Sequence, residues 1–173
     1  MGSVKVKQSG DFSAALRQIS NNLKAQIVRV GIFANATTKD GKLIAEYAAY
    51  NEYGTEHIPP RPFMRNTIKE HKAEWQQTFG NWMRGRDPQD PLAVERALYV
   101  VGDQAKGHVQ ETIGSNMPPP NAASTIRQKR KVITGADNKP MKNEKGEVMT
   151  HVPGTLVMNG DMQRAVAFEV NPK

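Results

Sequence analysis

The stretch from residue 51 to residue 65 reads NEYGTEHIPPRPFMR, and its three prolines set the path of the chain between two helical segments. A proline fixes its own φ at about −65° and pushes the residue before it toward an extended conformation. Pro59 and Arg61, which both precede a proline, are therefore predicted to be extended. A loop restrained in this way is expected to keep one shape. The rest of the sequence must explain why this loop needs a fixed shape.

The segments on both sides of this loop are predicted to be helical. The segment LIAEYAAYNEY at 43–53 is rich in alanine, and Gly54 follows where a helix end tolerates a left-handed residue. After the loop, apolar residues at helical intervals predict a second helix that ends near Gly85: Ile68, Trp75, Phe79 and Trp82. We interpret this stripe as core rather than as a platform on which bases stack.

The longest helical pattern covers residues 92–114. Its predicted inner face holds six apolar residues: Val94, Leu98, Val101, Ala105, Val109 and Ile113. Gly102 and Gly107 weaken this helix by about 1 kcal/mol each relative to alanine, so we expect both to permit close packing of another backbone. The acids at its start are expected to favour the helix dipole rather than to act as an acid–base pair: Asp87, Asp90 and Glu95.

The remaining segments decide the fold class. Residues 11–27 have helical periodicity, QIVRVGIF at 26–33 predicts a strand, and residues 165–170 predict another. Between them, residues 120–154 predict a long polar and basic loop or hairpin excursion, in which NEKG at 143–146 closes a turn. This order contains no βαβ alternation. It favours a single α+β domain over residues 1–173, with a small antiparallel sheet packed against several helices.

Composition and charge exclude several classes of protein. The chain has no cysteine, which excludes disulfides and is typical of a protein that folds in the cytoplasm. Its apolar runs are all much shorter than the ~20 residues that span a bilayer, so we expect no membrane segment. The net charge of +7 is local: residues 124–145 hold seven Lys/Arg against Asp137 and Glu144, whereas residues 87–123 hold five acids against Arg96 and Lys106.

The sequence contains none of the common local signatures of catalysis or nucleotide binding. Its four histidines are far apart in the sequence. His57 is expected to be solvated, and His71 is expected to pack on its own helix. We therefore expect no enzyme activity, no metal and no cofactor. The run STIRQKRK at 124–131 can neutralise phosphates, and the sequence leaves open whether it contacts a nucleic-acid backbone or is a solvated loop.

Three segments resemble a known family. N-E-Y-G-T at 51–55 followed by I-P-P-R-P-F-M-R at 58–65, P-P-x-x-x-S-T-I-x-x-K at 119–129, and a closing segment at 156–166 resemble the head–tail joining and tail-completion proteins of tailed bacteriophages. The resemblance covers about residues 43–170. Asn159 and Ala165 stand where the family pattern has Thr and Ser, and residues 130–154 are longer than the family's usual link.

The resemblance implies a structural virion protein that forms a ring, often of six subunits, in the neck or at the top of the tail. It implies assembly in the host cytoplasm, contact with tail-tube or head-connector proteins, and a conduit for packaged DNA. The segment expected at a subunit or partner interface contains Tyr53, Gly54, Thr55, Pro59, Pro60, Arg61, Pro62 and Phe63. The residues expected to contact DNA are Arg127, Lys129, Arg130 and Lys131.

Other interpretations remain open for parts of this assignment. Arg61 can anchor a neighbouring subunit, or it can hold its own loop against the body of the chain, for example through carbonyls near Gly54. Phe63 can be an exposed anchor or a core residue. A basic accessory protein that binds nucleic acid is the alternative function. Residues 124–154 are expected to become well ordered only in an assembly, since their composition buries little apolar surface.

Overall fold

The computed structural model describes residues 26–87, 90–134, 136, 138–151, 155–156 and 160–172. They form an α+β fold with a small antiparallel sheet, as the sequence predicts. The strands are β1 Gln26–Ile32, β2 Lys131–Val132, β3 Thr150–His151 and β4 Val166–Pro172. The helices are α1 Ile44–Tyr53, α2 Phe63–Met83, α3 Pro91–Gly114, α4 Ala123–Lys129 and α5 Asp161–Arg164.

Most predicted elements lie near their expected bounds. β1 pairs with β4, and α1, α2 and α3 occupy three of the segments that the sequence predicts to be helical. α3 begins with Pro91, and the side chain of Asp90 accepts a hydrogen bond from the backbone N–H of Leu92 at 3.0 Å, so this acid caps the helix. Of the helix predicted at 11–27, residues 11–25 lie outside the described residues, and Gln26 and Ile27 belong to β1.

The polar excursion contains one helix that the sequence did not predict. α4 covers residues 123–129, and because it has only seven residues its apolar periodicity is too short to detect. Beyond α4, β2 and β3 pair antiparallel with Lys131 opposite His151. The predicted turn at 143–146 is confirmed: Gly146 has φ 78°, and its N–H donates to the carbonyl of Asn143.

The chain divides into two compact units. The first contains Met1–Val30, Glu70–Gly107 and Phe168–Lys173, and the second contains Gly31–Lys69 and His108–Ala167. Helices α2 and α3 each contribute residues to both units. The expectation of a single domain therefore stays a prediction. Among the described residues, no helix is long and apolar enough to cross a membrane.

The first unit is built on the inner face of α3. Val94 and Ala97 are fully buried there, and Tyr99 packs edge-to-face against Phe168 with 4.8 Å between ring centroids. A Cβ placed on Gly102 would lie 2.5 Å from the Phe168 ring and 2.8 Å from the Val28 side chain. Gly102 therefore permits close packing as expected. Its neighbours are side chains, whereas the sequence predicted another stretch of backbone.

Two expectations about apolar packing need correction. A Cβ placed on Gly107 would meet nothing within 4 Å, so this glycine serves no close approach. The aromatic residues of the predicted stripe are half-buried rather than fully buried, and Ile68 of the same stripe is 46% exposed; the three aromatics are Trp75, Phe79 and Trp82. Periodicity identifies the side of a helix that faces inward, but it does not determine how much chain covers that side.

The second unit has a core of aliphatic and aromatic side chains drawn from several elements. Its buried apolar residues include Ile44, Ala48, Phe63, Val109, Ile113, Met117, Met162 and Val166. α1 packs against α5. Within this unit α2 and α3 are joined by Thr67, whose buried hydroxyl lies 2.8 Å from the Thr112 hydroxyl. The amides of Gln110 and Gln163 each donate to the other's backbone carbonyl.

The two glycines of α3 give a matched test of this packing. We expect Gly102→Ala to lower the free energy of unfolding by about 1–3 kcal/mol, because the new methyl group overlaps the Phe168 ring. Gly107→Ala should instead raise it by up to about 1 kcal/mol, since alanine favours the helix and finds open space. Urea unfolding of both variants checks this, and equal effects at the two positions would contradict it.

Candidate functional site

The proline loop is a compact turn held by its own backbone. Gly54 ends α1 with φ 80° and ψ 169°, and its N–H donates to the carbonyl of Tyr50 at 2.9 Å. The backbone of Thr55 donates to the carbonyl of Ile58 at 2.8 Å, and the Thr55 hydroxyl accepts from the Ile58 N–H at 3.0 Å. A Cβ on Gly54 would lie 3.0 Å from Pro60, so both the conformation and the space require glycine.

Glu52 fastens the end of α1 to the start of α2. Its side chain is buried, and its carboxylate accepts hydrogen bonds from the backbone N–H groups of Met64 at 2.9 Å and Arg65 at 3.2 Å. The Nε of Arg65 donates to the same carboxylate at 2.9 Å. The first N–H groups of a helix lack partners inside the helix and carry partial positive charge, so a buried carboxylate stabilises them.

Arg61 lies at the centre of the site. It is only 6% exposed, and its backbone N–H donates to the carbonyl of Asn51 at 2.6 Å. Its guanidinium donates from Nε to the carbonyl of Pro119 at 2.9 Å and from Nη2 to the carbonyl of Pro120 at 3.4 Å. One planar side chain thus joins two loops that are 58 residues apart in the sequence.

A second buried cation lies in the same part of the unit. Lys129, at the end of α4, is 5% exposed and donates from Nζ to the carbonyl of Thr155. The side-chain amide of Asn121 donates to that carbonyl as well, at 2.9 Å. Burial lowers the pKa of Lys129, and the nearby charge of Arg61 lowers it further. Burial also lowers the pKa of Arg61.

The structure brings together residues of the first two of the three segments that resemble the family, and one residue next to the third segment. Glu52, Gly54 and Arg61 come from the first, Pro119, Pro120 and Lys129 from the second, and Thr155 directly precedes the third. Three of the predicted contact residues need correction, because Arg61, Phe63 and Lys129 are buried within their own chain. Their polar or apolar groups are satisfied by backbone carbonyls or by the core, so they are not exposed anchors.

The alternatives that the sequence left open are decided for two residues. Phe63 is 2% exposed and is a core residue. Arg61 holds its own loop, but through the carbonyls of Pro119 and Pro120 rather than those near Gly54. The sequence did not identify the partners Glu52, Asn121 and Thr155, since their contacts join positions that are distant in the sequence.

The outer surface of the loop remains exposed. Tyr53 is 72% exposed, and the side chains of Thr55, Pro59 and Pro60 are also on the surface. The guanidinium of Arg65 lies 5.3 Å from the centre of the Tyr53 ring. Next to them is an open apolar groove of about 340 Å³ between α1 and the start of α2, with Ala45, Ala48 and Ala49 among its lining residues. The predicted interface role of this surface stays a prediction.

The basic residues in the last turn of α4 and directly after it differ in their exposure to solvent. Arg127, Arg130 and Lys131 are exposed, whereas Lys129 is not. The proposed contact of the three exposed residues with DNA stays a prediction.

Comparison of the chain with models of protein families, with curated proteins and with solved structures finds no match.

Removing the guanidinium of Arg61 should destabilise the isolated chain. We expect Arg61→Ala to lower the free energy of unfolding by about 2–4 kcal/mol, because a buried side chain and its hydrogen bonds to the carbonyls of Pro119 and Pro120 are lost together. Arg61→Lys should recover only part of this loss, since an ammonium lacks the planar fork. Chemical denaturation measures both, with Arg130→Ala, an exposed arginine, as the matched control. A normal melting curve for Arg61→Ala would contradict the assignment.

The buried amine of Lys129 should make stability depend on pH. Its pKa in the folded chain lies below the ordinary 10.5, so the unfolded chain binds the proton more tightly. The contribution of Lys129 to the free energy of unfolding should therefore rise as pH increases from the lowered pKa toward 10.5. The difference in unfolding free energy between the wild type and Lys129→Met, measured across alkaline pH, reports this contribution. A difference that falls with pH would contradict it, and Lys131→Met shows the effect of removing an exposed lysine.

Proposed function

We propose that this chain is a structural virion protein of a tailed bacteriophage. In this role it is a ring-forming head–tail joining or tail-completion subunit that helps to seal the DNA conduit. It acts by assembly rather than by catalysis, at the neck or the top of the tail. Its partners are copies of itself together with tail-tube or head-connector proteins.

One observation carries the proposal. The residues in which the chain resembles the joining proteins are also the residues that hold the site together. Arg61 links the two proline-containing segments, and Glu52 caps α2 from the segment that contains N-E-Y-G-T. These sequence features are distributed over about a hundred residues, and their contacts together fix the outer loop. This supports a shared structural role for those features.

A fixed loop suits a ring subunit for a physical reason. In a ring, one patch on each subunit meets a different patch on the next, and closure requires a constant angle between subunits. Tyr53, Pro59 and Pro60 are exposed on a loop whose base is buried and hydrogen-bonded. Such a surface loses little conformational entropy on binding, so most of its contact energy is available for assembly.

Electron microscopy of the purified full chain tests the proposal. At concentrations where the chain associates, we expect annular particles of one size with a central opening. Tyr53→Ala should reduce their number while leaving the melting temperature nearly unchanged, because the side chain is exposed. Ala123→Ser, an exposed change away from the loop, is the control.

Two results would contradict the proposal. A chain that stays monomeric at all concentrations and binds DNA with a steep salt dependence supports the accessory DNA-binding protein instead. Amorphous or open-ended association, with no annulus in any ionic condition, is also inconsistent with a ring subunit.

A further inference from the structure

Helices α2 and α3 contact each other within each of the two compact units. In the second unit the hydroxyls of Thr67 and Thr112 lie 2.8 Å apart, and in the first unit the amide of Gln104 donates to Oε1 of Glu74 at 2.6 Å. From the first contact to the second, residue numbers rise along α2 and fall along α3, so the two helices run antiparallel here. Both helices are continuous through this region, so the residues between the two contacts have fixed positions along them.

Two histidines lie between these contacts. His71 is one turn beyond Thr67 on α2, and His108 is one turn before Thr112 on α3. Residues one turn apart share a helix face, so the two histidines face each other as the two threonines do. Glu74 lies three residues after His71, on the same side of α2. One nitrogen atom of each histidine and one carboxylate oxygen of Glu74 all lie within 4.8 Å of one another.

The set of His71, Glu74 and His108, which we call the His–Glu–His site, has the donor atoms that suit a divalent transition-metal ion. Imidazole nitrogen is a ligand that Zn²⁺, Ni²⁺ and Cu²⁺ accept, whereas Mg²⁺ and Ca²⁺ prefer oxygen ligands. Two histidines and one glutamate are a sufficient set of protein ligands for zinc, with water in the fourth position. The donor atoms therefore favour Zn²⁺ over Mg²⁺ or Ca²⁺.

The distances within the site fit such an ion. Zinc bonds of about 2.0–2.1 Å in tetrahedral geometry place two ligand atoms about 3.3 Å apart. Nδ1 of His71 lies 3.1 Å from Oε2 of Glu74, which is close to that spacing. The ligand atom of His108 lies within 4.8 Å of the other two, so a small rotation of side chains brings all three to bonding distance of one ion.

Neighbouring side chains orient two of the ligands. Gln104 donates to Oε1 of Glu74, while Oε2 of the same carboxylate contacts His71. The His71 ring stacks on Trp75, with 6.3 Å between ring centroids and 23° between the ring planes. Partners that orient a metal ligand typically change metal affinity ten- to hundredfold. The side chains of His71 and Glu74 are 28% and 48% exposed, so an ion can enter from solvent.

We infer that His71, Glu74 and His108 bind one divalent transition-metal ion, for which Zn²⁺ is the best match. Gln104 is a positioning residue, because it acts through Glu74. The sequence predicted no metal because its histidines are far apart, and the pairing of α2 with α3 brings two of them together. The inference does not depend on the proposed role in a virion, since the ion is bound within one chain.

The bound ion joins α2 to α3 through three side chains. An unfolded chain does not hold these three ligands together, so the ion binds the folded chain in preference to the unfolded one. A ligand that binds only the folded state stabilises it by mass action, to a degree that rises with the concentration of the ion. The stability of this chain should therefore depend on Zn²⁺.

Calorimetric titration of the full chain with Zn²⁺, without an affinity tag and after treatment with EDTA, measures the binding. We expect one Zn²⁺ per chain. His108→Gln should weaken binding about a hundredfold or more because it removes a ligand, and Gln104→Leu about tenfold because it frees the Glu74 carboxylate to rotate. His151→Gln removes an exposed histidine of β3 and is the matched control, which should retain the wild-type affinity.

Thermal unfolding provides a second readout. At a Zn²⁺ concentration of one hundred times the Kd, the melting temperature of the wild type should rise by about 5–10 °C. Glu74→Gln keeps the size of an exposed side chain, so in EDTA it should melt within about 2 °C of the wild type. With Zn²⁺ its melting temperature should rise far less, because a ligand is missing.

Three results would overturn the inference: a wild-type chain that binds no Zn²⁺ at about 1 mM, an equal loss of affinity in His108→Gln and His151→Gln, or tighter binding of Mg²⁺ than of Zn²⁺. None of them bears on annular assembly, which electron microscopy tests separately. A loss of Zn²⁺ affinity confined to the variants of the site and of Gln104, together with the rise in melting temperature, supports the inference.

Discussion

The guanidinium of Arg61 is the interaction on which the site depends. It lies out of solvent and donates to the carbonyls of Pro119 and Pro120, while its own backbone N–H donates to Asn51. Burying a cation costs several kcal/mol unless polar groups replace its water, and here the backbone of another loop does so. Because proline fixes its own φ, the carbonyls of Pro119 and Pro120 belong to a stiff segment of chain.

The rest of the site follows from that constraint. Once Arg61 is held inward, Phe63 continues into the core and α2 begins beside Glu52, whose carboxylate caps it. Lys129 and Asn121 fasten the far side of the same region to Thr155. What remains exposed is the outer edge of the loop, with Tyr53 and the first two prolines. Interior contacts therefore fix the loop, and exterior side chains are free for a partner.

The chain separates two kinds of surface that assembly can use. The proline loop is rigid and aromatic, and its base is buried. Residues 131–134 and 138–151 instead display methionines and charged side chains of both signs on short paired segments, and almost all of their side chains are exposed. A rigid patch sets an angle between subunits, while an adaptable patch accommodates small differences at each contact. Both properties suit the ring subunit proposed above.

Local signals in the sequence predicted much of this fold. The alternation in QIVRVGIF identified β1, the periodicity of residues 92–114 identified α3 and its inner face, and Gly54 and NEKG marked turns that the structure contains. The α+β class followed from the order of these elements. These predictions succeeded because strand alternation, helical period and turn preferences depend on residues within a few positions of each other.

What the sequence by itself determined is the position and order of the longer elements described, β1, α1, α2, α3 and β4, and the prolines that restrain the loop. Only the tertiary structure decided that Arg61 and Lys129 turn inward, that Glu52 caps a helix, and that Gly107 lies next to open space. A charged residue is exposed in most proteins, so sequence reasoning placed Lys129 on the surface and left open whether Arg61 faces a partner or its own chain. Their burial depends on carbonyls of Pro119, Pro120 and Thr155, which lie 26 to 59 residues away, and no local pattern records such a partner.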